Sequence, residues 1–514
     1  FYHHKKQMTM KFKCTFLVIF CAIFTFAQNK IFQNSISERN LAVNQKISAG
    51  LSNTYVSTKY YQQPYFDLKS DFELALPNGK IIRAKYLKNF SYSNKSESFV
   101  YTVQNEPDSD FVLSKVNNII TGMYNAVSGE KVIFHQTDEN VFAISTVNEA
   151  VLINKDAVEN SILDETAIKQ RVNANICLTS TPVCPATTID VMVVFTPDAK
   201  IAWGGLAQSK SFVATAITNF NISLINSGIS NVTINLVYCD EIEYTESGNI
   251  NTDLTRFRTA GDGFMDTVAT LRSTYGADLC GLITSTPTNT CGLGYLNTNP
   301  TNYSANSGFC VGIFSCAVSN FTLAHEFGHN MGLNHDWYAN QSLNPCEHQH
   351  GYTNKTAINL GAASTTSQRW RTILAYNDEC ASKGFNCTRI NRWANPLVNY
   401  NAEPTGVAIG NVQPADEAFG YARFACVVSQ FMPTKTLATV ENATIADFQI
   451  FPNPASDELN IQMQDRENYT FKITNLVGQI LLKSEQRKIN LKGFASGEYL
   501  LSIYNKENTL IGTK

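Results

Sequence analysis

The chain lacks an apolar run long enough to cross a bilayer. Its most hydrophobic stretch, Cys14 to Phe26, is too short and too early for a span, which excludes an integral membrane segment in the mature protein. It also lacks a basic block, and a net charge of −3 over 514 residues leaves no electrostatic footprint for nucleic acid. Internal repeats and low-complexity tracts are absent. No methionine stands at position 1; Met10, Lys11 and Lys13 ahead of the apolar run read as a secretory signal peptide cleaved near Ala27, with residues 1–9 an upstream over-extension. Phe20 before Cys21 is too large for a lipoprotein site.

What the chain does carry is one dense motif, Ala324-His325-Glu326-Phe327-Gly328-His329-Asn330-Met331-Gly332-Leu333-Asn334-His335-Asp336. Phe321 through Met331 holds no proline and a single glycine, which predicts a short helix capped by Ser319 or Asn320. Residues four apart share a helix face, so His325 and His329 can offer imidazole nitrogens to one metal. Gly332 supplies a stop with positive φ, after which the chain doubles back and brings His335 round as third ligand. Three neutral imidazoles with a fourth position open make the donor set of catalytic zinc. Glu326 then stands within reach of the metal's water as general base and acid. Two histidines on a buried helix are often plain core residues; the third histidine and the glycine weigh against that here.

These residues resemble the metzincin zinc peptidases, whose long motif is HExxHxxGxxH followed by a Met-turn. Asp336, directly after the third histidine, is similar to the reprolysin (adamalysin-like) group within that clan. Arg371 to Tyr376 looks like the Met-turn, with Leu374 where the family has methionine; a leucine of similar volume is expected to serve as the apolar support. The resemblance implies that Tyr376 can hydrogen-bond the developing oxyanion, unless it only packs under the cleft. It also implies that Cys291 to Leu296 is the edge strand that pairs with an extended substrate.

At this length two to four domains are expected. Residues 1–27 are the extension and signal. Residues 28–186 alternate apolar and polar positions, as in Phe99 to Val103 and Lys131 to His135, which predicts a β-rich propeptide in which His135 is a surface strand residue. Residues 187–433 alternate strand and helix patterns in an α/β order, with a long second helix from Asp253 to Tyr275, an irregular part after His335 and a last helix in 414–431. Within it Cys346 to Gly351 holds the other histidine cluster, read as a cleft-rim loop rather than a metal pair. Residues 434–447 are a linker. Residues 448–514 show short strands between turns, a small β-sandwich similar to the type IX secretion sorting domain through Phe451-Pro452-Asn453-Pro454, Asn475 to Gln479 and Gly497 to Tyr499.

Eleven cysteines beyond the signal read as a disulfide framework with at least one thiol left over, and Cys380 and Cys387 bracket a loop they can close. The leftover thiol admits a cysteine switch, in which Cys184 or Cys177 occupies the open zinc position; the rival is a bond between those two. Calcium sites have no readable signature. The expectation is a secreted zinc endopeptidase acting on proteins, exported by type IX machinery and released or held at the cell surface. Its rivals are an adhesin retaining the fold and a zinc hydrolase of non-peptide amides.

Overall fold

The computed structural model describes residues 29–153, 162–163, 177, 181–286, 290–298, 300, 303–433, 448–463, 469–475, 480–504 and 510–513. The signal peptide, the linker and residues 476–479 of the Asn475 to Gln479 stretch lie outside them. Two compact units result, Phe1–Thr434 and Lys435–Lys514. No helix among the described residues is long and apolar enough to cross a membrane.

The alternating upstream region folds as a ten-stranded sheet whose strands from Phe72–Ala75 to Val141–Val147 form an antiparallel meander. One face gathers Phe72, Phe111, Tyr124, Phe134 and Phe142 into a core of its own. The other face meets the helix Leu206–Asn226 instead of water. That helix presents hydroxyls to the sheet: Thr121 Oγ1 lies 2.9 Å from Ser211 Oγ, and Thr218 Oγ1 lies 2.7 Å from the Tyr92 hydroxyl. His135 is therefore not at the surface. It is 2 % exposed, with its ring 4.9 Å from that of Phe212, and burial pushes its pKa down to about 4. Alternation marks two faces of a strand but does not say whether the polar face meets solvent or a polar helix.

Downstream, a six-stranded sheet runs in the order Ile162–Leu163, Gly292–Leu296, Phe309–Ile313, Leu279–Thr284, Thr187–Phe195, Val232–Glu241. Its main strands are parallel, and Gly292–Leu296 alone runs antiparallel to its neighbour Phe309–Ile313. The outer edge of Gly292–Leu296 is occupied: Ile162 and Leu163 pair with Tyr295 and Leu296 in parallel. The single helix expected from Asp253 to Tyr275 is two, Ile250–Arg258 and Thr267–Tyr275. Between them Gly261 and Gly263 adopt φ of +79° and +84°, and the Asp266 carboxylate accepts the backbone N–H of Gly261, Asp262 and Gly263. The C-terminal unit has a three-stranded and a four-stranded sheet sharing one core around Phe448, Ile461, Phe471 and Ile503.

The last helix of the first unit, Glu417–Val428, is tied down by a half-buried and a buried carboxylate at its start. Asp416 accepts from Phe419 N, and Glu417, fully buried, accepts from Ala394 N at 2.7 Å. Burial pushes the Glu417 pKa up to about 8 against the opposing bond from Ala394. The folded chain thus keeps a proton that the unfolded chain releases above its ordinary carboxylate pKa, and this group's stability contribution declines as pH rises towards 8. Glu417→Gln keeps the acceptor and removes the titration. In urea unfolding between pH 5 and 8, wild type should lose about 1.4 kcal/mol per pH unit relative to the variant; parallel curves would contradict the buried proton.

Candidate metal centre

The motif helix spans Thr322–Asn330 and begins without a side-chain cap. Neither Ser319 nor Asn320 caps it; Phe321 takes φ +55°, and its carbonyl accepts His325 N. The far end follows the expected pattern. Gly332 has φ +84°, Gly332 N donates to His329 O, and Leu333 N donates to Gly328 O. The returning segment is then fastened to the other histidine cluster, for Asn334 N donates to Gln349 O and Gly351 N to Asn334 O.

This return brings the three imidazoles together. Their nitrogens all lie within 4.8 Å of one another, and all three residues are buried. His335 Nε2 is 3.3 Å from His325 Nε2 and 3.0 Å from His329 Nε2. The opposite ring nitrogens are committed: His325 Nδ1 donates to Ile373 O and His329 Nδ1 to Leu333 O, each at 2.8 Å. A carbonyl only accepts, so those two nitrogens carry the protons, and the Nε2 atoms of His325 and His329 turn lone pairs toward His335 Nε2. Tetrahedral zinc with bonds of about 2.0–2.1 Å sets its nitrogens roughly 3.3 Å apart, so the donor set fits. Burial, above all, lowers the proton affinity of all three; His329 is pushed down to about 4. The rings are neutral at pH 7, the state a metal requires. No other group of three metal-ligating side chains converges among the described residues.

Glu326, 4 % exposed, lies against the edge strand. A Cβ at Gly292 would come within 2.5 Å of Glu326 Oε1, and one at Gly294 within 2.9 Å of Glu326 O. The glycines of that strand are thus what admits the carboxylate, a role not apparent from sequence. Leu374 lies beneath the motif helix, where a Cβ on Gly328 would meet its Cδ2 at 2.9 Å and the Trp393 ring at 3.0 Å. The Tyr376 ring sits 3.9 Å from His335 and runs parallel to His325 at 5.9 Å. Asp336 accepts from Tyr376 N at 2.8 Å and from Tyr338 N, joining the third histidine to the turn after Leu374.

Three readings change. The cluster Cys346 to Gly351 is no rim loop: His348 and His350 are buried, and His350 Nδ1 lies 2.6 Å from the carbonyl of His335. Cys177 and Cys184 cannot act as a switch. Cys177 is bonded to Cys346 and Cys184 to Cys426, with Cα separations of 5.5 and 5.7 Å, so neither has a thiolate to offer and they do not pair with each other. The physical reason is register, since Cys184 N donates to Ala422 O and so lies alongside the last helix. Cys380–Cys387 closes as expected, Cys291–Cys316 joins the edge strand to the turn before the motif helix, and the leftover thiols are Cys239, Cys280 and Cys310, all buried in strands. Burial pushes Cys280 up to about 12, making it an inert core residue.

Residues 186–386 match the model of the metallo-peptidase family M12, and residues 449–513 that of a secretion system C-terminal sorting domain. A peptidyl-Asp metalloendopeptidase of Stenotrophomonas maltophilia is 37% identical over 221 residues, 43% of this chain and 48% of that protein. One from Pseudomonas fragi is 30% identical over 175 residues, 34% of this chain and 83% of that protein. An endo-acting ulvan lyase of Formosa agariphila is 36% identical over 80 residues, 14% of this chain and 16% of that protein. The chain spans about half the length of the first of these relatives.

Gly328→Ala should destabilise the unit by about 1–3 kcal/mol, because Leu374 and Trp393 are packed where the methyl must go; an unchanged melting temperature would contradict that packing. Cys184→Ala should leave the activity of the uncleaved chain unraised and cost about 2–4 kcal/mol in chemical unfolding. A rise in activity would restore the switch.

Proposed function

The chain belongs to the metallo-peptidase family M12, and from that premise we propose that it is an exported zinc endopeptidase cleaving peptide bonds of proteins. His325, His329 and His335 hold the metal and Glu326 moves the proton. The observation that carries this reading is the convergence of three Nε2 atoms, two of them with lone pairs fixed by the bonds of His325 and His329 to Ile373 O and Leu333 O. When bound, zinc supplies Lewis acidity to the attacking water and to the scissile carbonyl. Glu326, held against the glycines of the edge strand, takes a proton from that water and delivers it to the departing amine. Tyr376, whose ring tilts against His335 at 3.9 Å between centroids, would donate to the developing oxyanion. The substrate would lie extended along Gly292–Leu296, reading main chain at the outer edge that Ile162–Leu163 now occupies. The relatives are named for aspartate, and the same preference is proposed here.

The upstream region is read as the propeptide, residues 28–186, preceding a catalytic domain over 187–433. Its strand Ile162–Leu163 takes the edge of Gly292–Leu296 that substrate would use, and its large sheet covers the helix Leu206–Asn226 through both hydroxyl pairs and apolar contact. Cys177 and Cys184 are tied to Cys346 and Cys426, so a propeptide that dissociates would be cut on the N-terminal side of Cys177, while one cut before residue 187 would stay tethered. The sorting domain passes the protein to type IX secretion machinery, for release or attachment at the cell surface.

A form beginning at Cys177 should cleave casein, lose activity on chelation and regain it with zinc. Glu326→Ala should keep its zinc and lose at least about a hundredfold in kcat. Cleavage as fast as the parent by that variant would overturn the mechanism.

A further inference from the structure

The ten-stranded sheet and the downstream part of the first unit meet over a face that no disulfide crosses. Apolar contact holds its middle. Val100 and Val112 of the sheet pack on Ile222, and Met123 and Ile133 enter the core that Phe220 and Leu224 also occupy. Charge holds one side, where Arg392 Nη2 lies 2.6 Å from Asp108 Oδ1 and Asn226 Nδ2 donates to Asp110 at 3.0 Å. The tip of the sheet docks elsewhere: Asn94 N donates to Leu236 O at 3.1 Å, and Ser93 Oγ lies 3.3 Å from Asn235 Oδ1. Asn235 and Leu236 belong to Val232–Glu241, the last strand in the order of the six-stranded sheet, at the far edge from Gly292–Leu296. The cleft edge is met by a different piece of the upstream region, Ile162–Leu163, paired with Tyr295 and Leu296. Bracing the enzyme and covering the substrate edge thus fall to separate pieces.

We propose that the ten-stranded sheet stays with the enzyme after the chain is cut, as a non-covalent subunit, and that freeing the cleft requires only Ile162–Leu163 to leave its edge. The inference rests on the peptidase reading above and changes what activation removes. Val100, Val112, Met123, Ile133 and Ile222 are each at most 5 % exposed. Cutting the chain returns none of them to water; only departure of the sheet does, and exposing apolar surface is unfavourable in proportion to its area. Departure would also strip Arg392 of its carboxylate and Leu236 of the N–H it accepts. The short strand has no such hold. A ladder of two residues is marginal without the chain on either side that delivers it.

Recognition sequences for a specific protease, placed in the full chain on both sides of Ile162–Leu163 between residues 153 and 177, allow the strand to be excised. On size exclusion at micromolar concentration the two remaining pieces should co-elute, and the co-eluting complex should cleave casein faster than the uncut chain. A sheet that elutes by itself overturns the proposal. So does a complex that is silent until dilution releases the sheet, because the sheet is then the inhibitor. Silence at every dilution fails the peptidase reading itself, while retention of the sheet is still judged by elution. Asp108→Arg sets a like charge against Arg392 from a half-exposed position on the sheet. It should raise the dissociation constant of the complex at least about tenfold. Should that variant misfold, Asp108→Asn, which removes the ion pair alone, carries the test in the same direction. A dissociation constant unchanged in the folded variant overturns the interface assigned here.

Discussion

Three ring nitrogens turned toward one point, two of them with lone pairs fixed there, are an arrangement that the rest of the first unit has to enforce. Ile373 O and Leu333 O fix which nitrogen of His325 and His329 carries the proton. Gly332 permits the left-handed turn that returns His335, and Asp336 locks the end of that return to Tyr376 N. Burial keeps the rings neutral at pH 7, the state in which they can ligate a divalent cation. The segment Gln349 to Gly351, His350 beneath the carbonyl of His335, and Leu374 beneath Gly328 all brace this one cluster.

The helix Leu206–Asn226 is shared by two large sheets. Val213, Phe220 and Leu224 belong to a core that the downstream sheet shares with Met123 and Ile133 of the upstream one. Towards the upstream sheet the helix turns Ser211, Thr215 and Thr218 as well as Ile222, which packs with Val100 and Val112, so hydroxyl pairs and apolar contact both hold that sheet in place. The disulfides follow the same division. All four have at least one partner downstream of residue 290, and none reaches into the ten-stranded sheet, so the framework stays with the proposed enzyme.

The motif helix and its return were legible because spacing is a geometric statement. Four residues on a helix make one face, and glycine at 332 allows one kind of turn. The α/β order and the alternating upstream sheet were legible for the same reason. What escaped were facts of tertiary partnership. His135 has a strand pattern whether water or Phe212 covers it, and Cys184 has no local sign of Cys426. The histidines of Cys346 to Gly351 look like loop residues until Asn334 pairs with their backbone. Gly292 and Gly294 read as strand glycines, and only the approach of Glu326 shows why no side chain stands there.

Zinc K-edge X-ray absorption on the purified protein tests the central claim most directly. Three imidazole nitrogens and one further light donor at about 2.0–2.1 Å, with no sulfur, are predicted. A sulfur shell near about 2.3 Å, or fewer than three imidazoles around the metal, would contradict it.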